Sequence, residues 1–203
     1  MSRLPEALDV LDKLPTTPIP AGSAWLRGSS LEYDGPLFFN SEPGGRFNPY
    51  EGNFGTLYLA KNLVGVLAET VCRGAAEKRL DERVVSLDEL KKMACFRCKI
   101  KEPLLLLDFT VPNLAKYRLD ARIYSEYDGS SPGKEYIFGP LWADLAQSLG
   151  CNGILYPSRH HTTSHCLALF NPPSLTHSYA QLHTFEHADV LTILDEEFDW
   201  GII

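Results

Sequence analysis

The chain has 203 residues, 44% of them hydrophobic and 22% charged, with a formal net charge of −7 at pH 7. That length fits one domain whose core needs no disulfide or metal, since a chain of this size buries roughly 70% of its unfolded surface. The acidic balance and the lack of a Lys/Arg run exclude a broad nucleic-acid footprint, although a few arginines in a cleft can still hold a small anion.

No apolar run approaches the roughly 20 residues a membrane-spanning helix needs. The N-terminus lacks the charged-then-apolar layout of a signal peptide. Five cysteines are spread without a disulfide-like framework. A reducing cytoplasm without membrane association is the expected setting.

In chain order, Leu4, Leu8, Leu11 and Leu14 recur at helical spacing, and Pro5 suits a first turn. A helix is expected from Met1 to Leu14, as part of an N-terminal extension over about residues 1–20, and Thr16–Gly22 reads as a Pro-rich connection. Ala24–Gly28 reads as a short strand, and Ser29–Phe54, rich in Gly, Pro, Asn and Ser, as mostly loop. Thr56–Ala60 is a second strand, after which Asn62 caps a helix running to about Arg73. Further strands are expected at Val84–Val85, Phe96–Ile100, Leu104–Thr110, Gly153–Pro157, Cys166–Phe170 and Val190–Leu194. A short helix is expected near Leu87–Met93, and a second opened by Pro140 and stopped by Gly150. Asp128–Gly133 reads as a flexible loop. The mixture is α+β with few βαβ units.

Strand alternation sets out the candidate cleft. Leu57 and Leu59 share one face, opposite Thr56, Tyr58 and Ala60, while Trp25 shares a face with Arg27. If the leucines mark the core, Arg27 and Tyr58 point together into the opposite space. On the helix, Leu63, Val66, Leu67, Thr70 and Val71 form the apolar stripe, with Glu69 well off it. The plain reading of Glu69 is a solvated carboxylate paired with Arg73 at i+4. Its small neighbours Gly65, Ala68 and Cys72 suit instead a surface that another group approaches closely.

Arg46 follows Gly44-Gly45, where glycine lets a backbone approach a phosphate and the guanidinium can fork onto its oxygens. Tyr58 offers a flat surface to a planar ring. Ser158 lacks a nucleophile elbow and reads as a hydrogen-bonding hydroxyl at the cleft rim. Cys95 and Cys98 have C-x-x-C spacing, but three residues apart on a strand they face opposite ways. His160, His161, His165 and Cys166 crowd a loop with no H-E-x-x-H pattern, so no metal site is expected.

Taken in order, Arg27, Gly44–Asn48 (GGRFN), Leu57–Ala60 (LYLA), Glu69, Gly153–Arg159 (GILYPSR) and Cys166–Phe170 (CLALF) resemble the RES domain family. Phe47 stands where that family commonly has tryptophan, which keeps an aromatic ring. The resemblance implies a single domain over residues 1–203 with the N-terminal extension and a poorly matched middle region, about residues 75–136. It implies an ADP-ribosyltransferase-like fold: a split, bent, mixed β-sheet with flanking helices, Tyr58 on a strand and Glu69 on the following helix.

The resemblance also implies a toxin of a toxin–antitoxin pair that degrades NAD+ as substrate, with no cofactor or metal. Glu69, Arg27 and Tyr58 are then the catalytic set, and Arg46, Ser158, Asn48 and Gly45 the substrate-binding set. The acceptor is open: water makes a glycohydrolase, inorganic phosphate a phosphorylase, and a protein side chain an ADP-ribosyltransferase. A catalytically idle module that only binds a partner is the remaining alternative. An antitoxin protein is the implied partner.

Overall fold

The structure, a computed structural model, describes residues 14–73, 78–117, 119–126, 136, 138–170 and 176–203. Apart from buried Leu14, the helix expected over Met1–Leu14 lies outside the described residues, as does the Asp128–Gly133 loop. The strands are β1 (Thr16–Ile19), β2 (Ala24–Ser30), β3 (Thr56–Ala60), β4 (Val84–Val85), β5 (Met93–Ile100), β6 (Leu104–Asp108), β7 (Gly153–Pro157), β8 (His165–Phe170), β9 (Thr176–Thr184) and β10 (Gly201–Ile202). The helices are α1 (Leu63–Glu69), α2 (Leu87–Lys91), α3 (Arg122–Ser125), α4 (Phe138–Ser148) and α5 (Ala188–Phe198). None of them is long and apolar enough to cross a membrane.

Eight strands form one mixed sheet in the order β1-β6-β7-β8-β3-β2-β5-β9, and β4 pairs with β10 apart from it. Within the large sheet β6 and β7 run parallel and the other neighbours antiparallel. One face carries a core that includes Phe47, Val66, Leu67, Trp142, Tyr156 and Leu194. The other buries Trp25, Leu57, Leu59, Phe96, Cys98 and Leu167, with Leu37 and Phe39 of the long loop packed against them.

The feature that positions the site is a break in this sheet. β2 matches β5 along its whole length and β3 matches β8 likewise, yet β2 and β3 share the single pair Leu26↔Ala60. The two strands part beyond that pair, and α1 packs against both beside the gap.

Several elements differ from the reading of the sequence, which also expected neither α3 nor β10. The Pro-rich connection at Thr16–Gly22 contains β1, paired with β6 from Thr16↔Leu107 to Ile19↔Leu104, and the Thr17 hydroxyl donates to the Asp108 carboxylate. An edge strand tolerates Pro18 because only one side of its backbone must be paired. The strand expected at Val190–Leu194 is instead the middle of α5: Val190 and Leu194 are both buried, and a four-residue spacing puts them on one helical face. β9 was not foreseen, because it is an edge strand whose Tyr179 and Leu182 are exposed and give no inward alternation. Finally, α1 ends at Glu69 rather than Arg73, with Thr70 leaving helical geometry at φ −120° and ψ −90°.

Candidate active site

Glu69 stands at the last position of α1, where the unpaired carbonyls of the helix disfavour a negative charge. Its carboxylate is therefore held by other elements. Ser158, just past β7, donates its hydroxyl to Oε1 at 2.6 Å, and Arg46 Nη2 lies 3.5 Å from Oε2. The i+4 pair with Arg73 is not formed; the cation comes from a residue 23 positions upstream.

The same loop that brings Ser158 also holds the start of the helix. Ser158 N–H donates to the Ser164 carbonyl at 2.8 Å, and Ser164 Oγ donates to Asn62 Oδ1 at 3.1 Å. Asn62 Oδ1 in turn accepts the Gly65 N–H at 2.8 Å as the helix cap. One short loop thus clamps α1 at both ends, which sets where Glu69 can point.

Arg46 is 5% exposed and sits between two aromatic rings, its Cζ 5.1 Å from the Tyr156 centroid and 5.6 Å from that of Tyr136. Ring faces attract a guanidinium and offset part of the cost of burying it. Its backbone is anchored through Tyr58, whose hydroxyl accepts the Phe47 N–H and donates to Asn48 Oδ1, both at 2.8 Å. Asn48 Nδ2 donates to the Glu42 carbonyl at 2.6 Å, and Thr56 Oγ1 to the Phe47 carbonyl at 2.9 Å. Two glycines make room. A Cβ on Gly139 of α4 would lie 1.9 Å from the Arg46 carbonyl oxygen, and one on Gly45 would lie 2.3 Å from Asn48 Oδ1.

Burial pushes the Glu69 carboxyl upward, but the Arg46 charge, the Ser158 hydrogen bond and His160 outweigh it and hold the group below its usual range. Glu69 is ionised. Burial would lower the Arg46 pKa, yet Glu69 and the surrounding tyrosines keep it above its ordinary value. Burial raises the Tyr58 phenol, so it stays protonated. His160 is pushed down by burial and by Arg159, Arg46 and Arg73 against the pull of Glu69.

These residues border a cavity of about 240 Å³ lined by Arg27, Gly45, Arg46, Tyr58, Glu69 and Tyr156, among others. Asn48 and Ser158 are buried at 1% and 0% exposure, so they stand behind the wall rather than at the rim. Arg27 departs from the expected arrangement. The Leu26↔Ala60 register puts Tyr58 on the α1 side of the sheet and Arg27 on the side of Trp25 and the leucines. Arg27 Nη1 instead donates to the Tyr58 carbonyl at 2.8 Å, bridging the gap where the strands part.

Tyr136, Tyr156, Asn62 as a link to Ser164, and Ser164 itself were missed in the sequence. Tyr156 was within reach, because it shares strand parity with Ser158; Tyr136 and Ser164 carry no local signal. Cys95 packs in one core and Cys98 in the other. Among the described residues no group of three or more His, Cys, Asp or Glu side chains is placed to hold a metal.

The chain is thus an α+β protein with a split mixed sheet and an Arg–Glu–Ser cluster beside the split. The chain belongs to the RES domain family, whose model matches residues 23–190, a span that includes residues 75–136. In structure it is similar to a chain of the MbcT–MbcA toxin–antitoxin complex of M. tuberculosis, with a TM-score of 0.57 and 19% identity over 87% of this chain and 91% of that one. No curated protein matches it in sequence.

Proposed function

We propose that this protein cleaves NAD+ between nicotinamide and ribose, acting as a cytoplasmic toxin neutralised by an antitoxin partner. The observation that carries the reading is an ionised Glu69, fixed by Arg46 and Ser158, on the wall of a cavity that opens where β2 and β3 part. Such a carboxylate suits a reaction in which positive charge develops on a sugar.

As the glycosidic C–N bond breaks, its electron pair leaves with nicotinamide, which becomes neutral, and the ribose becomes oxocarbenium-like. Glu69 stabilises that cation and accepts a hydrogen bond from a ribose hydroxyl. Water then adds to the anomeric carbon and loses a proton, giving ADP-ribose; inorganic phosphate in place of water gives the sugar phosphate. Tyr58 offers a ring surface to the planar nicotinamide. Arg27 holds the Tyr58 backbone at the split, and Gly45 and Asn48 hold the loop that carries Arg46. The likeness to a toxin–antitoxin complex supports the toxin and antitoxin part of the proposal.

The test is purified protein incubated with NAD+, with and without phosphate, beside Glu69→Gln whose fold is checked by circular dichroism. Nicotinamide release that drops by roughly 100- to 1,000-fold in a folded variant supports the reading, at the weight of one lost charge-stabilising group. Equal release by both proteins, or none by the wild type, removes it.

A further inference from the structure

The site cavity, about 240 Å³, is smaller than the roughly 300–1,000 Å³ of common small-molecule sites, and a dinucleotide lies at the large end of that range. It also offers little free positive charge. The Arg46 guanidinium is buried between two tyrosines against Glu69, and Arg27 is tied to the Tyr58 carbonyl. The Nε and Nη1 atoms of Arg46 and the Nε atom of Arg27 are buried donors without a hydrogen-bond partner, closed off from solvent.

A second cavity of about 450 Å³ adjoins the first, the two sharing Glu69, Thr70 and Arg73 as a common wall. Arg73 is exposed and borders both. Beyond it stands exposed Lys78, its Nζ 5.2 Å from the centre of the Trp200 ring. Trp200 Nε1 is a buried donor without an acceptor on this wall, and Glu89 adds an acceptor. Two accessible cations and a carboxylate suit a nucleoside diphosphate: cations for its phosphates, and an acceptor for its sugar or base.

Building on the NAD+ reading, we infer that the second cavity is the subsite for the ADP half of the dinucleotide, with Arg73 and Lys78 holding its diphosphate. Nicotinamide and its ribose fill the first cavity, beside Glu69. The chain crosses from one cavity to the other over Arg73. The buried Arg46 serves the carboxylate, and the exposed Arg73 serves the phosphates. Because Arg73 and Lys78 are exposed, their hold on the diphosphate weakens with salt.

The test is calorimetric titration with ADP-ribose and with nicotinamide riboside, which has no phosphate, using wild type, Arg73→Ala, Lys78→Ala, the double variant and Lys101→Ala as an exposed control. ADP-ribose affinity falls about tenfold for each subsite cation removed, the weight of one charge-assisted hydrogen bond. Lys101→Ala leaves it unchanged, and nicotinamide riboside binds every variant equally. In turnover, KM for NAD+ rises with kcat held. No ADP-ribose binding by the wild type, or an affinity untouched by the double variant, overturns the subsite even if nicotinamide is released. Equal weakening of nicotinamide riboside also overturns it. ADP-ribose binding that depends on Arg73 and Lys78, without nicotinamide release, upholds the subsite and removes the NAD+ cleavage reading alone.

Discussion

The buried Arg46 guanidinium and the half-buried Glu69 carboxylate lie 3.5 Å apart. Arg46 gives Glu69 one long contact, and the Ser158 hydroxyl at 2.6 Å is the close partner of the carboxylate. Ser158→Ala removes that donor and should raise the Glu69 pKa, since a hydrogen bond to the charged form favours it. The acid limb of kcat/KM for nicotinamide release then moves to higher pH, with roughly a tenfold loss at neutral pH, the weight of one hydrogen bond to a charged group. A profile that keeps its acid limb would mean that Ser158 does not set the ionisation of Glu69. Little of this was legible beforehand. Glu69 could be seen to leave the apolar stripe of its helix, but its cation could not be named. Arg73 was the near candidate at i+4, and Arg46 won because the loop of Gly44–Asn48 folds over the helix end.

At the scale of elements, the site depends on how closely α4 approaches that loop. A Cβ at Gly139 would lie 1.9 Å from the Arg46 carbonyl, backbone that has no flexible end to swing away. Gly139→Ala should therefore cost roughly 1–3 kcal/mol of stability, the usual range for overpacking, and displace Arg46 from Glu69. Thermal unfolding reads the first effect and nicotinamide release the second. An alanine variant with unchanged stability and activity would show that α4 can retreat freely. Element types were legible where pattern was strong: Thr56–Ala60 as a strand, and Asn62 as the cap of the next helix, emerge as expected. They failed where composition misled. The run Val190–Leu194 is β-rich residue by residue, yet the burial of Val190 and Leu194 made it a helix.

For the whole molecule, the buried Arg46–Glu69 pair ties the loop after β2 to the end of α1, and so couples folding to pH. The folded pKa of Glu69 lies below its unfolded value of 4.5, so between the two the unfolded chain binds more protons. The stabilisation from this group is present above the unfolded value and is lost as pH falls through the folded one. Glu69→Gln should cost roughly 2–3 kcal/mol at neutral pH, less than the roughly 3–5 kcal/mol for breaking a fully buried pair, because the Glu69 side chain keeps 22% exposure. The difference from wild type should shrink below about pH 4.5, as urea unfolding at stepped pH would read out. A constant difference down to acid unfolding would contradict an ionised, stabilising Glu69. By itself the sequence determined the α+β class, the strand and helix that carry Tyr58 and Glu69, and the ordered motifs by which the family is recognised, because those depend on local periodicity, capping and residue order. Only the tertiary structure decided that Arg27 leaves the sheet on the face opposite Tyr58, that Arg46 rather than Arg73 neutralises Glu69, and that a second cavity adjoins the first. Those depend on strand register and on contacts between segments far apart in the chain, which no local pattern encodes.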